Sequence, residues 1–501
     1  MMPMEPKPRS SQLRAPFISL AVAITVIFIL VTIVFLFGYL AKVERDKLRK
    51  IERRRELYGI DLEKARETIE RSYRLLAGGY EDAYQRGLSE PKSEFDRLDD
   101  IIGQLKDPPF AEPYLLRARI YIILRDLDKA DADLAKYIEL KPPAYSMAYV
   151  DRVTVASLRF LRLALADASA AELRKIGDPA DEEIEKFCTW WTDGLKRELD
   201  APNVIPYWNA SAMMGFRQLL KNQSFGKASE WFDNIYGSTP DPITFRALRS
   251  LANLRFWHHM QNRLKEQAGM PETLDLEQER AITRETLADL QEMTKEALVL
   301  CPNHPEFLAL RGHVLLATRE FAGALKCFED AKNADAAFNL ANYGIALVHL
   351  AKGDADKALD ALKAYTIAEQ AQPKPLLTSG VHRAYARAHA LKGESDEALK
   401  KYSSAVALDP SSPDIHVERA ALLAKAGKFA DAEADLSYVL DTHGDDLEAR
   451  LARVDVYIGM GDKAKALADL DKAKQTNAKR KFGRDAQIKE KRERAEKLPS
   501  K

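Results

Sequence analysis

Between Ser379 and Asp446 apolar residues recur at three- and four-residue steps in short blocks separated by turns, the spacing of amphipathic helices. The stretch divides into two 34-residue units that begin at Ser379 and Pro413. Each carries Gly at its fifteenth position, Gly393 and Gly427, and Ala at its twentieth, Ala398 and Ala432. The same frame moved forward reaches Gly461 and Ala466. Moved back, with a few extra residues between 372 and 378, it reaches Gly353 and Ala358, then Arg319 and Ala324. Large apolar residues follow each Ala by four positions (Phe328, Leu362, Tyr402, Leu436, Leu470), which places them on the same helix face. The Gly positions lie just past the first helix of each unit, where a left-handed residue ends a helix. A helix pair this short cannot bury its apolar face alone, so neighbours must stack. The pattern predicts an all-α helix-pair solenoid with regular units at 305–338, 339–378, 379–412, 413–446 and 447–480.

The frame extends toward the N-terminus with less regularity. At 111–144 it is met by Tyr114, Ala118, Tyr121, Ala130, Leu134 and Pro142. At 209–242 it is met by Phe216, Leu219, Ala228, Phe232 and Pro240. Residues 77–304 therefore read as divergent units, with a degenerate one at 77–110 and a connection between Gln261 and Thr286. All five Trp fall in this part, at 190, 191, 208, 231 and 257, as core or as an aromatic partner patch.

A different pattern opens the chain. After a short basic tail, 1–16, residues 17–40 contain no charge and are rich in Ile, Val, Leu and Phe. Such a run spans about 36 Å as a helix, enough to cross a bilayer, and is too long for a cleaved signal peptide. It predicts a single transmembrane helix that tethers the chain to a lipid bilayer. Lys7, Arg9 and Arg14 precede it; Lys42, Arg45, Lys47, Arg49, Lys50, Arg53, Arg54 and Arg55 follow. The larger basic cluster favours the cytoplasmic side, so the repeats are expected in the cytoplasm, with a periplasmic or outward-facing body as the alternative. Residues 42–76 carry Leu48, Ile51, Arg55, Tyr58, Leu62, Ala65, Ile69, Ser72 and Leu76 at alternating three- and four-residue steps. This is either a coiled-coil stem giving a homodimer through 48–76 or one amphipathic helix lying on the first repeat.

Composition adds exclusions. Lys plus Arg equal Asp plus Glu, 76 each, so the chain as a whole has no bias toward nucleic acid. Residues 481–501 are basic, but interleaved Glu dilutes the field, and a capping helix is expected there rather than a nucleic-acid site. Three widely spaced Cys imply no disulfide framework.

The segment Lys392-Gly-Glu-Ser-Asp-Glu-Ala-Leu399, continued by Ala405-Val-Ala-Leu-Asp-Pro410, resembles the second half of a tetratricopeptide repeat. The small eighth position of that repeat is met by Gly312, Ala346, Ala386 and Ala420 and replaced by Val454. Its fourth-position aromatic is replaced by Leu308, Asn342, His382, His416 and Arg450. The resemblance implies a right-handed superhelix that binds peptides or proteins on its concave face. Inner-face positions of the first helices include His313, Tyr343, Leu347, Arg383 and Arg387, and these are the candidate partner-binding residues. Tyr343 with the two Arg would suit a carboxylate-bearing peptide, because guanidinium offers a bidentate fork. The carboxylate clamp of some relatives is not matched, since Ala309, His313, Gly344, Gly380 and Ala384 stand at its positions.

No catalytic constellation emerges. Gly459-Met-Gly461 is a repeat turn, His258 and His259 point apart on a helix, and Cys301 with His304 has no second metal-ligating pair. A membrane-anchored scaffold or adaptor without cofactor or metal is the expected function. An envelope-assembly or chaperone-like factor is the alternative, and an enzyme would have to reside in 145–209.

Overall fold

The computed structural model describes residues 15–76, 89–104, 111–140, 146–176, 247–257 and 274–499, with single positions between 215 and 228; 175, 256, 373 and 481–483 are left aside. Among the described residues there is no β-strand. Helix α1 (Ala15–Leu76) leads through a 3-10 turn at Glu90–Glu94 to α2 (Phe95–Gln104). Then come α3 (Glu112–Ile123), α4 (Leu127–Glu139), α5 (Ser146–Leu165), α6 (Ala170–Arg174) and α7 (Leu274–Leu300). The second half alternates strictly: α8 (Pro305–Ala317), α9 (Phe321–Ala334), α10 (Leu340–Lys352), α11 (Ala355–Gln370), α12 (Ser379–Lys392) and α13 (Ser395–Leu408). It ends with α14 (Pro413–Lys425), α15 (Phe429–Thr442), α16 (Leu447–Met460), α17 (Lys463–Arg480) and α18 (Asp485–Glu496). From α7 onward each helix packs on the next.

Three rows of side chains explain the stacking. Ala130, Ala324, Ala358, Ala398, Ala432 and Ala466, the twentieth residues of their units, are completely buried. So is Ala228, from the looser unit at 209–242. Ala118, Ala346, Ala386, Ala420 and Val454 fill the eighth position equally deeply. The four-later row of Leu134, Phe328, Leu362, Tyr402, Leu436 and Leu470 is buried against them. Small residues facing each other bring two backbones together, and the large residue one turn on fills the space beside the contact. Phe328 and Tyr402 are the aromatic members, and two glycines make room for Phe328. A Cβ on Gly312 would lie 2.8 Å from its ring, and one on Gly344 2.2 Å.

A polar ladder overlies this core. Arg117–Asp133, Arg419–Asp435 and Arg453–Asp469 each join the seventh residue of a unit to the twenty-third, with Nε donating to carboxylate oxygen at 2.7 Å in all three. Arg offers two parallel donors to each carboxylate, so the pairs fix helix orientation within a unit. Where the types change, the contact changes with them. Lys401 lies 4.7 Å from the centre of the Tyr385 ring, a cation–π pair at the same two positions. Arg453 also donates to Ser437 of the preceding unit at 2.9 Å, tying neighbours together.

The fourth position, aromatic in the family pattern, closes the preceding turn here. The buried His416 ring faces Asp435 Oδ1 at 3.0 Å through Nδ1 and the Pro410 carbonyl at 2.9 Å through Nε2. Arg450 donates to the Gly444 carbonyl at 2.6 Å in the equivalent place. With acceptors at both nitrogens, His416 favours its protonated form; the Asp435 carboxylate is the main cause, Pro410 adds to it, and burial opposes.

The N-terminal part bears on the two readings of residues 42–76, and from Leu62 onward it takes the form of an amphipathic helix lying on the first repeat. Leu62, Ala65 and Ile69 are buried in one core with Leu98, Ile101, Leu116 and Ile120, and Ser72 Oγ donates to the Thr68 carbonyl. The seam from Leu62 onward is thus spent inside the chain, where a burial-driven contact with the first repeat satisfies it, and cannot also form a coiled-coil dimer. Before Leu62, Leu48, Leu57 and Ile60 are exposed. The connection placed at 261–286 is also shorter than expected, because α7 is continuous from Leu274. Among the described residues no helix is long and apolar enough to cross a membrane. Side chains of 15–31, more than half of the apolar run at 17–40, lie outside that description. Trp190, Trp191, Trp208 and Trp231 also lie outside the described residues, whereas Trp257 is buried.

Two measurements follow. Gly353, Gly393, Gly427 and Gly461 have φ between 71° and 81°, and Arg319 occupies the same left-handed position at 64°. Arg319→Gly is expected to raise stability by roughly 0.5–1 kcal/mol, read as a higher urea midpoint, because the Cβ strain at positive φ exceeds the added flexibility of the unfolded chain. For His416, a folded pKa above the unfolded value of about 6.5 means its contribution is fully present below that pH and is lost as pH rises through the folded pKa. His416→Gln should flatten the pH dependence of the urea midpoint above about pH 6.5 and weaken the acid limb only in part, because Arg419 still pairs with Asp435. The acid limb belongs to groups such as Asp435, where burial is outweighed by Arg419 and His416 and the pKa is lowered.

Candidate partner-binding face

The inner face of the array is built from the first helix of each unit. On α8, α10 and α12 it is already occupied by the chain itself. The Thr378 hydroxyl donates to the Ala166 carbonyl at 2.6 Å and accepts from Val381 N, capping α12. Glu172 accepts from Ser379 N at 3.0 Å and from Ser379 Oγ at 2.6 Å. A carboxylate supplied from 207 residues away thus sits on the N-terminus of α12, where the helix dipole favours negative charge. Gly380 lets the backbone of Asp167 approach: a Cβ there would lie 2.3 Å from the Asp167 carbonyl oxygen. Farther along the same seam Arg125 donates to Glu306 at 2.9 Å, and Lys374 pairs with Asp128 at 2.6 Å. Burial works against the Glu306 carboxylate, but Arg125 and His304 beside it outweigh this and hold its pKa far below the usual range.

This occupancy decides the fate of the five candidate residues. Tyr343 is 0% exposed, with its ring 5.7 Å from that of Tyr365, so it is core and is not available to a partner. Burial raises its pKa well above normal, with the Asp167 charge adding to the effect. Leu347 is half-buried against the main core. His313 is half-buried, edge-on to Phe328 at 5.2 Å. Arg383 is committed to Glu418, through Nε at 3.1 Å and Nη2 at 2.6 Å, and reaches Asp414 at 3.3 Å. Although burial opposes it, the Glu418 hydrogen bond holds Arg383 above its usual pKa. Arg387 remains exposed. The structure therefore brings Asp167, Arg383 and Arg387 near the buried Tyr343 and leaves Arg387 as the exposed cation.

The residues that do the joining, Glu172, Thr378, Ser379, Gly380 and Arg125, are not legible as a site in the sequence. Their partners lie some 200 residues away, and local periodicity carries no signal of that. The one hint is the run of extra residues at 372–378, which here carries Lys374, paired with Asp128, and Thr378, bonded to Ala166.

Comparison with known proteins now bears on the repeats. A family model described as "Tetratricopeptide repeat" matches residues 309–374 and 417–480, and a second of the same description matches 111–143. A "TPR repeat" model matches 386–427. These segments are tetratricopeptide repeats. Solved structures with a similar chain path include yeast Tom70, 17% identical, covering 83% of this chain and 96% of that one at a TM-score of 0.39. A human IFIT1 dimer is 14% identical over 79% of this chain and 81% of that one, with a TM-score of 0.43. A thermophilic TPR protein of Thermus thermophilus is 19% identical over 40% of this chain and 99% of that one, at 0.31. No curated protein matches the chain.

Gly380→Val tests the internal occupancy. Its side chain would meet the Asp167 backbone, so the substitution is expected to cost about 1–3 kcal/mol. It should also make the chain cleavable near 165–174 in limited proteolysis, which the same substitution at exposed Gly444 should not do.

Proposed function

We propose that this protein is a membrane-tethered scaffold that holds protein or peptide partners on the part of its repeat array left open by its own N-terminal helices. Tetratricopeptide repeats are protein-interaction modules, and they fill most of residues 309–480. The open part is the inner face of α14, continued onto α12 only at the exposed Arg387. It presents Arg387 and Asp414, the latter 73% exposed, with Glu418 and Ala421 between them. The alternating charges suit a mixed-charge segment rather than the purely acidic peptide expected from Tyr343 and both arginines.

The tether is supported by one observation above all. Seven large hydrophobic side chains between Ile33 and Leu40 are 43–75% exposed, in a helix that continues unbroken into the body. A patch of that kind is costly in water and is satisfied by lipid. The rod is about 93 Å long as a regular helix, and about 32 Å of it separates Ala41 from Leu62, the first residue of the core. The basic collar that follows residue 41 favours the cytoplasmic side for the repeats.

Two experiments test this reading. Protease added to sealed vesicles should remove a C-terminal tag when the outside of the vesicle is the cytoplasmic face; full protection would reverse the orientation. Co-purification from membranes with the full chain should lose partners on Arg387→Glu combined with Asp414→Lys. Partner recovery equal to the unmodified chain would remove this face from consideration.

A further inference from the structure

A cavity of about 400 Å³ opens in the seam between the N-terminal helices and the regular repeats. That volume lies in the range of small-ligand sites. Leu124, Leu158, Leu161, Phe338 and Leu340 supply an apolar wall, and charged groups of both signs share the opening.

The charges are not equally available. Each carboxylate is already bonded to the protein. Glu306 is held by Arg125 at 2.9 Å. Glu369 accepts from Asn339 Nδ2 at 3.2 Å and from Leu376 N at 2.9 Å. Asp335 accepts from Ala337 N at 2.9 Å. The cations are different. Arg162 makes one long ion pair among the described residues, 3.9 Å to Glu369, with its side chain 35% exposed. Lys92 makes no ion pair among the described residues and is exposed at the rim. Arg125 belongs to Glu306. Glu306 Oε2 accepts no hydrogen bond but is buried beside His304, so among the cationic lining groups the ones without a short ion pair are Arg162 and Lys92, and they stand beside an apolar wall.

We propose that this cavity binds a small amphipathic carboxylate, its anionic head on Arg162 and Lys92 and its branched apolar body against Leu158, Leu161, Phe338 and Leu340. The guanidinium can give the carboxylate two parallel hydrogen bonds that Glu369, at 3.9 Å, does not take. A bound ligand would touch both the N-terminal helices and the repeats, and so would strengthen the seam. Such a carboxylate has two sources, a free branched-chain acid or the C-terminal residue of a polypeptide.

The test uses the full chain in nanodiscs and isothermal titration with 4-methylpentanoate, N-acetylleucine and 4-methylpentylamine. Saturable binding of a carboxylate, with none of the amine, is expected. The tighter of the two acids identifies the source as free acid or chain end. Arg162→Gln should weaken binding tenfold or more, Arg162→Lys should recover part of it, and Lys92→Gln, at an exposed position that folding does not depend on, should weaken it several-fold. Circular dichroism checks that each variant keeps its helix content. Absence of binding by both acids up to about 10 mM, equal binding of the amine, or unchanged affinity in both Gln variants would overturn the proposal.

Discussion

Close approach of helix backbones through alanine is the constraint on which this structure depends. A tetratricopeptide unit has no interior of its own, and its apolar area is removed from water only when the next unit seats against it. Ala at the twentieth position and a small residue at the eighth set the distance at which that happens. The completely buried row from Ala130 to Ala466 shows the same contact made along the array. Departures from the rule are compensated locally. Phe328 is larger than the Leu standing at its position in four other units, and Gly312 and Gly344 stand where a methyl group would strike its ring. Packing density is kept by moving volume between helices rather than by changing the spacing.

Polar contacts then decide orientation. The seventh-to-twenty-third ion pair recurs in three units, and in the unit that begins at Ser379 a cation–π contact takes its place. The geometry of the position is constant while its chemistry varies. Each carboxylate is mostly buried and already paired, so loss of one Arg would strand a desolvated charge, a larger effect than loss of an exposed pair. The ladder therefore restrains the angle within each helix pair, while the alanine rows set the distance between them.

The parts legible in the sequence are those written in the 34-residue period. The left-handed φ at Gly353, Gly393, Gly427 and Gly461 follows from one residue type at one phase, and so does the burial of the alanine row. What the period cannot carry are contacts between distant units. Tyr343 occupies an inner-face position and in an open solenoid would be presented to a partner. It is core because Asp167 and its neighbours lie over it, and that depends on how far the array curves, a property summed over many small interhelical angles. Arg383 reads as a free cation for a related reason: its partner Glu418 sits in the next unit, at a position the repeat pattern leaves free to vary. The seam in α1 is ambiguous in principle, since a strip of apolar residues does not state whether its own chain or a second copy will cover it.

The closure of the inner face also explains a strained residue. Arg125 stands in the left-handed position that glycine fills elsewhere, with φ of 63°. A non-glycine residue there costs roughly 1–2 kcal/mol, and Gly would avoid it. Glycine, however, would leave Glu306 buried opposite no donor except His304, and an unpaired buried carboxylate costs more than the backbone strain. Arg319, at the same position of its unit with φ of 64°, is exposed and has no such partner among the described residues. The two arginines share a backbone conformation for different reasons. One is strained because the junction between distant helices requires its side chain; the other carries a strain that nothing in the surrounding contacts requires. A positive φ alone therefore does not mark a site. It does so where the side chain it carries neutralises a charge that the fold has buried.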